Sequence, residues 1–385
     1  MAGFQSMDDF ITQVTTNGRS FRVDWNKLYP PTTAGVSGEW ACLARGAGNP
    51  PADTLYNTGT NLTFQPTSDT TTGAAGVRHG GNVSPYYKSL INISGGATGL
   101  TSAPAWLHLI DLIGFYRVTS VTTITSQAMT NTLSAFSTFT VDTGTDIATH
   151  TNINLMQYTR VQLTTTTTLP AGLSLATDYY IIKVSDTTCK FATSYANAVA
   201  GTPVDITTTG TGTHTINTLY PRYTNGAGVQ AFMWNTNSTA LGAATPNLSF
   251  PDYTNSEQTT GKATPTVLPI GKTAAPNGKI LYSGAAAGKY GPMMPLAAGD
   301  SGIAQVNNVQ ISSSYLSGEF SIGMYRTITS LPLVNQGLFS ERDLVNQLPS
   351  MPRIYDGANL QWLIFEGANI PTNSPFYGTL EFAWA

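Results

Sequence analysis

Phe376-Tyr377-Gly378-Thr379-Leu380-Glu381-Phe382-Ala383-Trp384 carries its large apolar side chains at positions 376, 380, 382 and 384. A period of two belongs to a strand with one buried face. A strand this apolar must be paired and covered, by its own subunit or by a neighbour, so the stretch commits the chain to a β-rich fold. Similar runs precede it at Val229 to Trp234, Pro265 to Ile270, Lys279 to Tyr282, Val306 to Ser312, Glu319 to Thr327 and Leu360 to Glu366. Asn277-Gly278 is a two-residue hairpin signal, and a short helix is expected around Glu341 to Gln347.

Nearer the N-terminus, Ser6 can cap a helix with Asp9 completing a capping box, and Met7, Phe10, Ile11 and Val14 lie at helical spacing until Gly18. Ser20 to Trp25 alternates as a half-buried strand. Residues from Pro30 to Gly99 are rich in Gly, Pro, Asn and Thr and read as extended chain and loops, with short apolar runs at Trp40 to Leu43 and Leu62 to Phe64. A second helix is expected over 104–113, with Pro104 in its first turn and Gly114 at its end. Only His108 and Asp111 interrupt its apolar surface, which makes it a buried helix. Phe115 to Thr125 turns β-branched and reads as a strand.

From Ser134 to Asn217 the composition becomes Thr-rich and almost purely β, with runs at Phe139 to Val141, Arg160 to Leu163, Tyr179 to Val184, Cys189 to Ala192 and Val204 to Ile206. The flanks on either side share one aromatic, Gly/Asn-punctuated style. The reading is therefore a host domain of jelly-roll or β-sandwich type, residues 1–133 and 218–385, split by an inserted small β-module, residues 134–217, with two or three short helices overall.

Charge is the outstanding compositional feature. The chain of 385 residues has 18 basic and 21 acidic side chains, 10% in all, against roughly 25% in an ordinary soluble domain. No Asp or Glu occurs from Thr70 to Ile110, and no Lys or Arg from Phe191 to Pro221. With a net charge of -3, copies repel one another weakly, and charge depletion also marks the centres of subunit interfaces. Basic residues are too scattered for a nucleic-acid footprint. The first residues show no basic and apolar leader, no stretch approaches a membrane span, and neither export by a signal peptide nor membrane insertion is expected. Cys42 and Cys189 lie far apart in sequence and read as two buried thiols, although their spatial separation is open.

Several motifs that could carry chemistry also read as plain turns. Phe139-Thr140-Val141-Asp142-Thr143-Gly144 matches the strand and Asp-Thr-Gly turn of aspartic proteases, and Asp300-Ser301-Gly302 could supply the second carboxylate of a proton-sharing dyad. Yet Asp300 follows Ala297-Ala298-Gly299 rather than an apolar strand, so both read as tight turns. Gly299-Asp300-Ser301-Gly302 also lacks the histidine context of a serine protease, since His79, His108, His150 and His214 stand elsewhere. Gly271-Lys272-Thr273 lacks the upstream glycine of a P-loop, that place being Thr266. Asp142 and Asp146 lack the remaining ligands of an EF-hand. No catalytic residue, cofactor or metal is assigned.

Leu169-Pro-Ala-Gly-Leu173, Asp178-Tyr-Tyr-Ile-Ile182, Lys190-Phe-Ala-Thr-Ser-Tyr-Ala-Asn-Ala198 and Gly210-Thr-Gly-Thr-His-Thr215 resemble a small β-module inserted in many tailed-bacteriophage structural proteins. Asn26-Lys-Leu-Tyr-Pro30, Gly38-Glu-Trp40 and Pro221-Arg-Tyr-Thr-Asn-Gly-Ala-Gly228 resemble uncharacterised phage virion proteins. The resemblance implies a non-enzymatic virion part, assembled in the bacterial cytoplasm, and transfers no catalytic residue. The favoured role is an auxiliary capsid subunit, a decoration or cement protein that binds itself, as a trimer, and the major capsid protein. The N-terminal helix and the final strand are expected to bridge subunits, and the module to project outward, where it could contact glycan. The alternatives are the major capsid protein itself, a tail or receptor-binding protein and, remotely, an aspartic-protease-like enzyme using Asp142 and Asp300.

Overall fold

The computed structural model describes residues 3–30, 34–74, 76–99, 105–242, 246–265, 268–269, 278–281, 292–346 and 351–385. The fold is mainly β, in antiparallel ladders. Its centre is a pair of 14-residue strands, Ala105–Val118 and Phe320–Leu333. They run side by side over their whole length, with register shifts at Ile113 on one strand and Ile328 on the other. An extra residue in a ladder turns the following side chains to the other face. Leu107, Leu109, Leu331 and Leu333 therefore serve one core, and Ile110 to Val118 with Phe320 to Tyr325 serve a second.

Around this pair lies a sheet in the order Gln230–Asn235, Phe320–Leu333, Ala105–Val118, Leu360–Glu366, Glu39–Cys42. Residues 278–281 close it. Cys42 N–H donates to Gly278 O at 2.8 Å and Ile280 N–H to Trp40 O at 3.1 Å on one side. On the other, Asn235 N–H donates to Lys279 O at 2.9 Å and Leu281 N–H to Met233 O at 2.8 Å. Both edges of the sheet are thereby joined through these four residues, which pair backbone groups that an open edge would leave free.

A second sheet stacks on the outside of this ring, in the order Ser340–Asp343, Lys88–Ala97, Pro375–Trp384, Ser20–Leu28, Gly48–Asn49. Trp25, Ile93, Leu380 and Phe382 meet Leu107, Leu331 and Trp362 between the layers, a sandwich arrangement. The Pro375–Trp384 strand is interior, flanked by Ser20–Leu28 and Lys88–Ala97. It is thus covered by its own chain, and both its edges are already paired, which corrects the expectation that it bridges subunits.

Six further strands, Ser134–Asp142, Ile147–His150, Arg160–Thr165, Asp178–Lys183, Thr188–Ala192 and His214–Thr218, close into a small barrel with its own core of Phe139, Ile181, Phe191 and Ile216. The Val204 to Ile206 run is not one of its strands. It is extended chain held by Val204 N–H to Phe191 O at 2.7 Å and Ile206 N–H to the Asp146 carboxylate at 2.9 Å. A helix the composition did not announce, Tyr195–Ala200, is capped by Ser194 and ended by left-handed Gly201.

Two expected helices are strands. The 104–113 segment, described from Ala105, belongs to the long Ala105–Val118 strand, whose β character ends at Val118 rather than Thr125. Around Glu341, Ser340–Asp343 pairs with Asn92 to Gly95, and the Asp343 carboxylate then turns the chain by accepting from Val345 N–H and Asn346 Nδ2; residues 347–350 lie outside the described set. The N-terminal helix forms as Met7–Ile11, with Ser6 Oγ accepting from Asp9 N–H at 3.0 Å, and continues as a π-helical turn over Thr12–Thr16. None of its residues is buried. Gly271 to Thr273 and Asn277 lie outside the described residues.

Asp111, at the crossover between the two cores, is fully buried and takes a bidentate contact from Arg222, Nε to Oδ2 at 2.8 Å and Nη2 to Oδ1 at 2.6 Å. Removing one partner of such a pair strands the other charge, at a cost of about 3–5 kcal/mol. Asp111→Ala is expected to lower unfolding stability by that amount in urea titrations. Asp111→Leu combined with Arg222→Met should lose much less.

Candidate functional site

The two carboxylates singled out as a catalytic dyad have separate, complete sets of partners. Asp142 sits at the hairpin between Ser134–Asp142 and Ile147–His150, where Oδ1 accepts from Gly144 N–H and Oδ2 from Thr145 Oγ1, each at 2.9 Å. These bonds hold its carboxyl below the usual range. Asp300 precedes Ile303–Ile311 and receives Tyr253 OH at 2.6 Å, Asn255 Nδ2 at 2.9 Å and Lys262 Nζ at 3.3 Å. Burial would raise its pKa, but those donors outweigh it and keep it ionised. A proton-sharing dyad needs two carboxylates in contact, and no described interaction joins these two. Ser301 Oγ touches Ser256 Oγ at 3.0 Å and Glu257 Oε1 at 3.3 Å, with no histidine beside it.

Three of the histidines stand in separate surroundings. His108 packs edge-on to Trp40. His150 and His214 belong to the barrel, the latter bonded to Thr165 Oγ1 and Thr209 O. Cys42 and Cys189 are free, buried in different cores, and burial pushes each thiol up to about 12. Among the described residues no group of three or more His, Cys, Asp or Glu is placed to hold a metal ion, and no helix is long and apolar enough to cross a membrane.

His79 is the exception, because it sits in a chain of charged groups that the sequence did not reveal. A crevice of about 680 Å³ runs between the barrel, at Phe136 to Thr138 and Thr151 to Asn154, and host loops bearing Asp69 and Asp356. Beneath it His79 Nε2 lies 3.1 Å from Ala358 O and 3.3 Å from Asp69 Oδ2, and Lys88 Nζ lies 2.9 Å from His79 Nδ1. Lys88 also reaches Gly81 O and, at 3.4 Å, Asp356, whose oxygens accept from Val83 and Ser84 N–H at 3.0 Å. An ammonium donating to Nδ1 places the imidazole proton on Nε2. Every member of the chain is engaged by another, so the group acts as a polar brace under the crevice. Lys88 falls at an inward phase of the Lys88–Ala97 strand, which was the one signal in the sequence that a charge is buried here.

Burial, reinforced by the Lys88 charge, holds His79 down at about 3, and burial holds His108 at about 4. In an unfolded chain both titrate near 6.5. As pH falls below that value the unfolded state gains protons that the folded state refuses, so stability that is complete above about pH 6.5 declines toward the folded values. Asp69, raised by burial, acts in the opposite sense. Asp53, raised by burial to about 7, also acts in the opposite sense, so the test is a difference between chains: between about pH 6.5 and about pH 4 His79→Gln should lose less stability than the wild type, and an unaltered slope in that variant would contradict the assignment. Comparisons with protein-family models, with curated proteins and with solved structures gave no match to this chain.

Proposed function

We propose that this chain is a bacteriophage virion structural protein, an auxiliary capsid subunit that cements the head by extensive contact as a homo-oligomer, a trimer. The observation that carries the reading is the state of its few charges. Nine charged side chains are buried among the described residues, including Lys27, Lys88, Asp111, Arg222, Lys279 and Glu366. A surface of 14787 Å² is left with still fewer than 18 basic and 21 acidic groups. Such a surface has little electrostatic barrier to close packing of neighbours.

Contact area supplies the mechanism. At about 25 cal/mol per Å², interfaces of a few thousand Å² contribute tens of kcal/mol before the cost of association. The N-terminal helix fits a bridging role, because Met7 and Ile11 are 51% and 50% exposed and no residue of the helix is buried in its own subunit. The motifs resembling phage modules support the virion setting.

Quantitative gel analysis of purified particles should find the chain at a copy number matching the head lattice, and light scattering should find a trimer in solution. A handful of copies located on the tail would overturn the decoration role. Met7→Asp with Ile11→Asp should leave the unfolding midpoint nearly unchanged and abolish binding to heads that lack the protein.

A further inference from the structure

Lys279 lies on the segment that closes the central ring, and its side chain enters a closed polar site at the end of the inter-sheet core. Nζ is 2.5 Å from Glu366 Oε1 and 2.5 Å from Oε2, and 3.1 Å from Glu39 Oε2. Lys279, Glu39 and Glu366 are 1%, 5% and 0% exposed. Tyr29 OH donates to Glu366 Oε1 at 2.5 Å and Val36 N–H donates to Oε2 at 2.5 Å. The other buried cations are placed differently. Arg222 presents a guanidinium, Lys27 reaches backbone carbonyls, and Lys88 stands 3.4 Å from Asp356.

The geometry points to a covalent amide between Lys279 Nζ and Glu366 Cδ, formed by the folded chain with Glu39 as proton carrier. Nζ is equally close to both oxygens, so the carboxyl carbon between them is nearer than the about 3–3.5 Å of a near-attack contact and no movement of the chain is needed to bring the two groups together. Glu39 takes one proton from the ammonium, leaving a neutral amine that attacks Cδ. Tyr29 OH and Val36 N–H stabilise the charge that develops on the carboxyl oxygens. The second nitrogen proton and the proton held by Glu39 leave with one carboxyl oxygen as water, and Glu39 returns to its starting state. Ammonium and carboxylate thus become amide and water, with no oxidant, reductant or other reactant.

Two physical facts favour the step. An ion pair in a dry core carries a large desolvation penalty, and the amide removes both charges. Burial also raises the Glu366 pKa, so its carboxylate charge is held at a cost that the neutral amide removes. The bond would join residues 87 positions apart and make the closure of the ring permanent. That suits a part subjected to mechanical load, but the chemistry does not depend on the virion assignment.

The test is intact mass of the full chain under denaturing conditions, followed by proteolysis and tandem sequencing. The expected mass is that of the sequence less one water, with a branched peptide joining Lys279 to Glu366. Lys279→Arg should restore the full mass, and Glu39→Gln should slow the loss of water in freshly folded protein. Full sequence mass in the wild-type chain, with Lys279 and Glu366 recovered in separate peptides, would overturn the proposal. So would a water lost at any other pair. A Glu39→Gln chain that closes the bond at the wild-type rate would overturn the proton-carrier role. Because the wild-type measurement needs no variant, a substitution that fails to fold leaves the result standing.

Discussion

The buried contact between Asp111 and Arg222 constrains more of this molecule than any other single interaction. Asp111 lies where the Ala105–Val118 strand passes from one core to the other, and it also accepts from Asn359 N–H at 3.0 Å. Arg222 stands four residues beyond the last barrel strand and adds donations to Thr67 O at 2.8 Å and Leu112 O at 3.1 Å. One ion pair therefore fixes the central strand, the chain leaving the barrel, the 66–67 corner and the start of Leu360–Glu366. Bidentate geometry and a full set of carbonyl partners are what make such a pair tolerable inside a core. Hydrophobic residues could fill the same volume, but they would not dictate which four segments meet.

Withdrawing charges into the interior links stability to surface character. Each buried network, Asp111 with Arg222, Lys279 with Glu39 and Glu366, and Lys88 with His79 and Asp356, orders segments remote in sequence. Each also removes charges from a surface that had few. The same residues thus order the interior and leave the exterior with few charges.

The β class was legible because surface-facing and half-buried strands alternate, as in Phe376 to Trp384, and Leu360–Glu366 was delimited to the residue. The failure at 104–113 has a definite cause. A strand buried on both faces shows no alternation, and neither does a helix buried all round. Pro104 and Gly114 look like helix punctuation, yet Gly114 is required for close approach, since a Cβ there would collide with the Phe64 ring and Gln65 O. Segments 278–281 and 39–42 each carry a charge, at Lys279 and Glu39. Only the register of the ring turns both toward Glu366, and register across such distances is not encoded in local spacing. The brace at His79 escaped for the same reason, drawing on residues from 69 to 356.

The barrel is fastened to the rest of the chain mainly by uncharged groups. Thr159 Oγ1 meets Thr224 Oγ1 at 2.6 Å, Asn225 Nδ2 donates to Gln157 O at 3.0 Å, and Met156 N–H donates to Thr224 Oγ1 at 3.0 Å. Arg160 reaches Gln305, and Arg353, stacked between Tyr87 and Tyr355, reaches Asn154 Oδ1 at 3.2 Å. Hydrogen bonds of this kind are not screened by salt as surface ion pairs are. Contacts on several sides of the barrel hold its orientation. A subunit whose contact surfaces are already fixed relative to one another loses less freedom on binding, so more of the buried area appears as affinity. Uncharged groups, which dominate the composition of this chain, thus also hold the barrel in its place.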